Sequence, residues 1–593
     1  MHRLSAFVLA ASVAFQLFAQ EPAGLPHVMA PSELPLIRDY KESRAGAGRG
    51  ITAPPTFAPR TMAEWEEVQA LVITWTSYPG ILKQIVRAAM EEVRVYIVTQ
   101  DQAGVVSYLA NTTNGGPITD LSNISFIDAA FNSVWTRDFG PECIYENEVD
   151  SLYLLDWIYN RPRPLDDALS DEVGNALGLG VYSTTQAPYD LVHTGGNFMA
   201  DGFGTAFSSE LVLEENGPNG QFNQTVKSQA QVEALMEQWM GIQQGRYVLM
   251  DMLPYDGIHH IDMHMKLLDE ETLLVGEFPT GVSDGPQLEL NLQAILANHP
   301  SVFGTPYRIV RIPMPSSTGG LYPPDASYRT FANNIFLNGT VIVPTYRDEY
   351  DTTGLRILRE ALPGYNVVGI DCDNSGQNII SASGAIHCIT KGIGVNDPLL
   401  IRHQRLGDTY ETVVPYTVEA YIRHRSGIAA AEVFWTTDTA AGFQSVSMTA
   451  GADNNWSAAI PAQAAGTRVY YYIHATANSG KQQVRPIVAP DGWWKFDVLD
   501  VAAGVSGPAA PVITEVFPNP TSSLLMITVA DAGTERVRIT LRDAVGREVL
   551  RIQDAPMHRD QRAFADISYL AEGAYLLVVE SPKGRSAVRV VKN

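Results

Sequence analysis

The chain has 593 residues, 45% apolar and 18% charged, which excludes a disordered, collagen-like or disulfide-framework protein. At roughly 100–200 residues per domain, the length predicts about three to five domains. A net charge of −24 sets up a field that repels phosphate backbones and anionic headgroups, so no nucleic acid partner is expected.

Met1-His2-Arg3, an apolar run from Leu4 to Ala19 and then Gln20 have the layout of a secretory signal peptide over residues 1–20. The run is interrupted at Ser5, Ser12 and Gln16, which argues against a span of about 20 apolar residues. No later segment is long and apolar enough to span, so the expectation is an exported product with no transmembrane segment in the mature chain. Residues 21–60 are rich in Pro, Gly, Ala and Arg without a hydrophobic period, which reads as an extended leader or propeptide with little structure.

Residues 61–405 mix helix and strand. Ile81–Val93 reads as a helix followed by the apolar run Val95–Val98, and Leu71–Thr74, Thr205–Val212, Leu273–Glu277, Tyr307–Ile312 and Thr340–Pro344 read as short buried strands. This predicts an α/β domain. Residues 406–500 alternate as strands over Tyr416–Arg425, Ala431–Thr436 and Arg468–Ala475, the size of an immunoglobulin-like β-sandwich without the paired cysteines of antibody domains. The small, proline-punctuated stretch 501–511 is a linker. Residues 512–593 are again strand-patterned, over Leu524–Val529, Val537–Leu541, Ala574–Val579 and Ala587–Val591.

The last module carries Phe517-Pro518-Asn519-Pro520, Asp543-Ala544-Val545-Gly546-Arg547, Ile567 to Tyr575 and the terminal Val591-Lys592-Asn593. On these motifs it resembles the C-terminal sorting domain of the type IX secretion system. That resemblance implies type IX export machinery as a partner and secretion or outer-membrane surface display by way of the periplasm. An ordinary carbohydrate-binding or adhesive β-module is the alternative, since sandwich architecture does not fix function.

Three cysteines, Cys143, Cys372 and Cys388, cannot form a disulfide framework. Cys388 sits among glycine and small residues, Ser383-Gly384-Ala385-Ile386-His387-Cys388, where a turn could present a thiol. A buried structural cysteine is the commoner fate of such a residue. A nucleophilic thiol needs a base or cation nearby, and the best candidates lie in His259-His260-Ile261-Asp262-Met263-His264. As a strand, this run would turn His260, Asp262 and His264 to one face, where they could shuttle protons or ligate a metal. Trp135-Thr136-Arg137-Asp138-Phe139-Gly140-Pro141 adds a second carboxylate, although an Arg-Asp pair in a turn is weak evidence alone. Two carboxylates, a histidine and a cysteine suit chemistry on a guanidinium, whose N–H donors pair with carboxylates.

These motifs, with Ala63-Glu64-Trp65-Glu66, Tyr159-Asn160-Arg161-Pro162-Arg163-Pro164, Thr194 to Gly202, Ala332-Asn333-Asn334 and His387-Cys388, run in one order across residues 62–409. There the chain resembles the guanidino-group-modifying deiminases, specifically the secreted bacterial peptidylarginine deiminases. The resemblance implies a five-bladed, pseudo-symmetric α/β propeller, although no internal repeat is visible in the sequence. It implies Cys388 as the nucleophile that forms a thiouronium intermediate, His260 as acid and then base, and Asp138 and Asp262 as the guanidinium grip. Asn333 would hold the arrangement and Trp135 would line the side-chain tunnel, with Ser383 and Asp201 as further substrate contacts. No cofactor is implied for catalysis. Structural calcium or sodium is compatible with the family, but no ligands are assigned in this sequence.

Arg161 and Arg163 read, on their own, as a proline-stiffened loop pairing with Asp166 and Asp167. In the resembled enzymes such arginines bind a terminal carboxylate. The expected activity is therefore conversion of C-terminal arginine in peptides or proteins to citrulline and ammonia. Deimination of free arginine or agmatine, or a catalytically silent surface adhesin, are the alternatives. Gly257 is smaller than the residue expected beside the pocket, which predicts a wider or differently lidded site.

Overall fold

The computed structural model describes residues 25–45, 49–500, 512–521, 523–530, 536–543, 546–556, 562–581 and 584–592. The expected signal peptide and the linker 501–511 lie outside the described residues.

Five separate sheets build residues 59–394, and they repeat one backbone pattern. In the clearest, Met265–Asp269 and Thr272–Glu277 pair antiparallel, helix Gly285–Asn298 crosses over, and Arg308–Pro313 returns parallel to Thr272–Glu277. Ile335–Leu337, Thr340–Thr345, helix Asp348–Ala361 and Asn366–Asp371 repeat it. So do Glu142–Glu146, Leu152–Trp157, helix Leu169–Leu177 and Val181–Thr184. In the fourth, Met199–Ala200 and Ala206–Ser209 are followed by two helices, Leu211–Asn216 and Gln229–Met240, before Tyr247–Met250. The fifth is assembled from both ends of the domain: Lys391–Gly394 pairs antiparallel with Val68–Thr74, and helix Pro79–Ala89 leads to the parallel strand Arg94–Val98. No sheet closes on itself; each is open, with three or four strands.

Local chemistry explains the elements. Thr340–Thr345 is buried at every position, and its Thr340-Val341-Ile342-Val343 reads as a β-branched run. Ser228 and Gln231 form a reciprocal cap at the start of Gln229–Met240, and Gly241 ends that helix at φ 72°. The strand expected over Thr205–Val212 stops at Ser209, because Glu210 donates its N–H to the Met250 carbonyl and the chain turns into Leu211–Asn216.

The leader differs from its expectation. Leu34–Leu36 forms a turn of 3-10 helix and Ile37–Ala45 an α-helix. Tyr40 buries against Ile158, Val192 and Phe222, with Met29 and Ile37 beside them. Tertiary packing supplies the order that the leader's own pattern does not.

The second module's first sheet draws in a strand from before residue 406. Leu400–Arg402 already pairs with Tyr416–Arg423, in one sheet with Asn455–Ile460 and Thr449–Ala450. A second sheet contains Ile428–Thr436 and Arg468–Ala477, and Val418, Ile422, Val433, Tyr471 and Ile473 share one core between the two. The last module has two further antiparallel sheets around Leu525, Ile527, Ile539, Leu541, Leu577 and Val579.

Candidate active site

Four short helical turns bring the candidate residues together: Thr136–Phe139, Gly195–Asn197, Ile261–Met263 and His387–Ile389. Each lies next to strands of a different sheet, so residues more than 100 positions apart meet at one point. The run His260 to His264 is not a strand. It folds as a 3-10 turn in which His264 donates its N–H to the Ile261 carbonyl, so the two-residue alternation expected for HxDxH does not apply.

His260 is the inward histidine. Its ring is fully buried, whereas His259 is half-buried with φ 56°. His260 Nδ1 lies 3.5 Å from Asp138 Oδ1, and Thr194 Oγ1 lies 3.1 Å from Nε2. Gly196 makes this approach feasible, because a Cβ there would sit 2.5 Å from His260 Nδ1 and 3.0 Å from Asp138 Oδ1.

Cys388 is buried beside them. The Asn333 amide donates to Cys388 Sγ at 3.2 Å, and the Asn333 Oδ1 accepts the His387 backbone N–H at 3.0 Å. Cys388 Sγ lies 3.9 Å from Asp262 Oδ2. His387 turns its ring away from the thiol to bridge two acids: Nδ1 is 2.7 Å from Asp262 Oδ2 and Nε2 is 2.9 Å from Glu64 Oε2. Lys266 holds the other oxygen of Glu64 at 2.8 Å. Asp138 Oδ1, Asp262 Oδ1 and His260 Nδ1 are buried and carry no hydrogen bond. Two carboxylate oxygens thus keep acceptor capacity beside the thiol.

Electrostatics separates these groups. Burial, with Asp262 and Asp138 adding to it, pushes the Cys388 thiol well above its usual range. Burial also pushes His260 down to about 4, against the pull of Asp138. For Asp138 burial works the other way and would raise its pKa, but His27, His260 and Arg161 outweigh it and hold the carboxyl ionised. Glu64 is likewise held down by His387, Lys266 and Arg137 despite its burial. Burial thus disfavours the charged form of both the Cys388 thiol and the His260 imidazole.

Of the residues expected from sequence, Cys388, His260, Asp138, Asp262 and Asn333 are brought together. Trp135, Ser383, Arg161 and Arg163 each contact the leader. Asp201 is elsewhere: it turns the chain between Met199–Ala200 and Ala206–Ser209 by accepting the N–H groups of Phe203 and Thr205. Asp166 is used by Asn132 and Ser133, whose N–H groups it accepts, and Arg163 takes Glu33 instead. Sequence reasoning missed Glu64, Thr194, His387 and His27. The first three stand inside the quoted motifs, and nothing in the leader's composition marked His27.

The metal reading of HxDxH finds no support. Among the described residues, the group of His, Cys, Asp or Glu side chains spaced to share an ion is His27, Asp138 and His260, without Asp262 or His264. This nitrogen-rich set is unlike the oxygen shell of calcium.

Residues 60–393 match the family model of the Porphyromonas-type peptidyl-arginine deiminases. The match covers more than half of the chain, which therefore belongs to that family, whose members are hydrolases of C–N bonds in linear amidines. Residues 515–593 match the secretion system C-terminal sorting domain, which indicates export through the type IX machinery. The agmatine deiminase of Pseudomonas aeruginosa is 23% identical over 374 residues, spanning 57% of this chain and 97% of the relative. Among solved structures, the agmatine deiminase of Enterococcus faecalis is 18% identical, covers 58% of this chain and 99% of its own, and has a TM-score of 0.48. That of C. jejuni is 21% identical, covers 56% and 96%, and has a TM-score of 0.45. No helix among the described residues is long and apolar enough to cross a membrane.

Proposed function

We propose that the chain is an exported peptidylarginine deiminase that acts on arginine at a peptide C-terminus and needs no cofactor for catalysis. The observation that carries this reading is a thiol in one buried cluster with the under-bonded carboxylates of Asp138 and Asp262, together with an arginine that already grips a carboxylate. Arg163 holds Glu33 through Nε to Oε1 at 2.7 Å and Nη2 to Oε2 at 3.0 Å, the two-pronged geometry that selects a carboxylate over an amide.

Asp138 and Asp262 would accept guanidinium N–H groups and place the central carbon at Cys388. The substrate's positive charge would offset the two carboxylates that hold the thiol protonated, and His260, neutral at rest, would take the thiol proton. Sulfur then bonds to the guanidinium carbon. The C–N bond to a terminal nitrogen breaks, and His260 returns the proton to the departing ammonia. His260 next deprotonates a water, whose oxygen bonds to the thiouronium carbon as the C–S bond breaks. Citrulline is released and the thiol regenerated.

The relatives named above are agmatine deiminases, which favours agmatine as a second reading. Agmatine has no carboxylate for Arg161 and Arg163 to bind. In the same reading, the five ββαβ sheets are the five blades of a propeller. Pairing of Lys391–Gly394 with Val68–Thr74, which joins the two ends of the domain in one sheet, supports a closed ring. The two-sheet module after it is read as immunoglobulin-like.

The test is a substrate panel: a peptide ending in arginine, its C-terminal amide, free arginine and agmatine, followed by ammonia and ureido product. Turnover confined to the free-carboxylate peptide supports the reading, and preference for agmatine overturns it.

A further inference from the structure

The segment 25–33 sits inside the site just described. The His27 ring stacks on Trp135 with centroids 4.3 Å apart and planes 7° from parallel, and its Nε2 lies 2.5 Å from Asp138 Oδ2. Its Nδ1 lies 2.8 Å from the Ser383 carbonyl oxygen, and its backbone N–H donates to the Ala382 carbonyl at 3.1 Å. The Trp135 indole N–H donates to the Leu25 carbonyl at 2.9 Å. Arg161 Nε donates to the His27 carbonyl at 3.0 Å, while Arg163 holds both oxygens of Glu33 and donates to the Pro26 carbonyl at 2.7 Å.

A planar ring with an N–H aimed at Asp138 copies the flat, donor-edged shape of a guanidinium. A carboxylate on Arg163 copies the end of a peptide. We propose that residues 25–40 are a built-in latch: the chain folds with its own leader seated as a substrate mimic, and the enzyme opens when that segment is displaced or cut away. This rests on the deiminase reading, because it takes the substrate's two recognition features from it.

Four further observations bear on the latch. His27 is fully buried and Glu33 nearly so, so the seat is made to measure rather than grazed. A Cβ at Gly384 would lie 2.3 Å from Trp135 Cζ3 and 3.2 Å from His27 Nδ1, so only glycine leaves room for the stacked pair. Gly257 lies beside the leader, where a Cβ would meet Val28 Cγ1 at an ordinary 3.5 Å. The part that must let go is held lightly: Leu34 and Leu36 are about half exposed, and the helix Ile37–Ala45 buries chiefly Tyr40. A latch that releases needs specific contacts at the site and little apolar burial behind it.

The experiment compares the full chain with His27→Ala, Glu33→Gln and the double variant. Two rates are read: alkylation of Cys388 by iodoacetamide, located by peptide mass spectrometry, and ureido product from an arginine-terminated peptide. The latch predicts that the double variant is alkylated at Cys388 at least about tenfold faster than wild type, since removing the occupant raises the open fraction. Turnover rises with it, and a peptide of sequence 25–45 added in excess reverses both. Cys143 and Cys372, also buried, must stay unlabelled; labelling of all three would reflect unfolding, and Glu33→Gln alone, an isosteric change, then decides through its Cys388 rate. Unchanged or slower Cys388 labelling in Glu33→Gln and the double variant overturns the latch, as does loss of turnover in His27→Ala, which would make His27 part of the working site. Faster labelling with no product from any guanidine keeps the latch and overturns the deiminase reading.

Discussion

His387 holds Asp262 by its Nδ1, 2.7 Å from Oδ2, and is itself held at Nε2 by Glu64. In the proposed mechanism His387 therefore positions the Asp262 carboxylate, and His260 rather than His387 serves as the base. Replacing His387 with Ala frees Asp262 to rotate, and misplacement of that order costs about 100-fold in rate. Steady-state kinetics should show both kcat and KM worsening, with Glu64→Gln giving a smaller loss of the same kind. An unchanged kcat/KM would remove Asp262 from the guanidinium grip.

Gly196 lies where any side chain would strike His260 and Asp138. Gly196→Ala should fold, with a stability loss of about 1–3 kcal/mol for overpacking, yet lose nearly all turnover because the imidazole is pushed from its acid. Thermal melting beside an ammonia assay checks both halves. A variant that melts like wild type and turns over normally would show that the close packing is not required.

Arg163 is expected to sort substrates by their end group. In the His27→Ala background, Arg163→Gln should raise KM for the arginine-terminated peptide about 10–100-fold while hardly altering the amidated one, as expected for a lost charge-assisted pair. Equal losses on the two peptides would mean that Arg163 only supports the loop.

Asp256 is buried and pushed up to about 7, while accepting the Ile258 N–H at the start of the turn that presents His260. An acid raised on folding contributes stability that is full below its unfolded value, 3.8, and is lost as pH rises through its folded value. Between pH 5 and pH 8 the wild type should therefore lose more melting temperature than Asp256→Asn, by roughly 2–4 °C for each kcal/mol of linkage. Parallel melting curves for the two chains would show that Asp256 does not titrate in that window.

The candidate residues Cys388, His260, Asp138, Asp262 and Asn333 were legible through the motifs that carry the family resemblance, and their side-chain types suit guanidinium chemistry. What brings them together was not. The five-sheet repeat is a repeat of backbone path: one crossover is the single helix Leu169–Leu177 and another is the pair Leu211–Asn216 and Gln229–Met240, so no sequence period survives. Alternation suggested a strand at His260–His264, where a 3-10 turn uses the same residues differently. The leader was least legible, because its contacts are polar and distant, with His27 and Asp138 separated by 111 positions. Such pairings leave no periodicity to read. Leu400–Arg402, which pairs with Tyr416–Arg423, is a three-residue edge strand too short to show alternation in sequence.

The most direct test of the central claim is a rapid acid quench during turnover of an arginine-terminated peptide, with the Cys388-containing fragment weighed by mass spectrometry, in wild type and in His27→Ala. The account predicts a fragment heavier by the substrate minus ammonia, absent from Cys388→Ala, which also makes no product. Ureido product formed by Cys388→Ala, or formed by either chain with no such adduct at any time, would contradict a covalent cysteine mechanism.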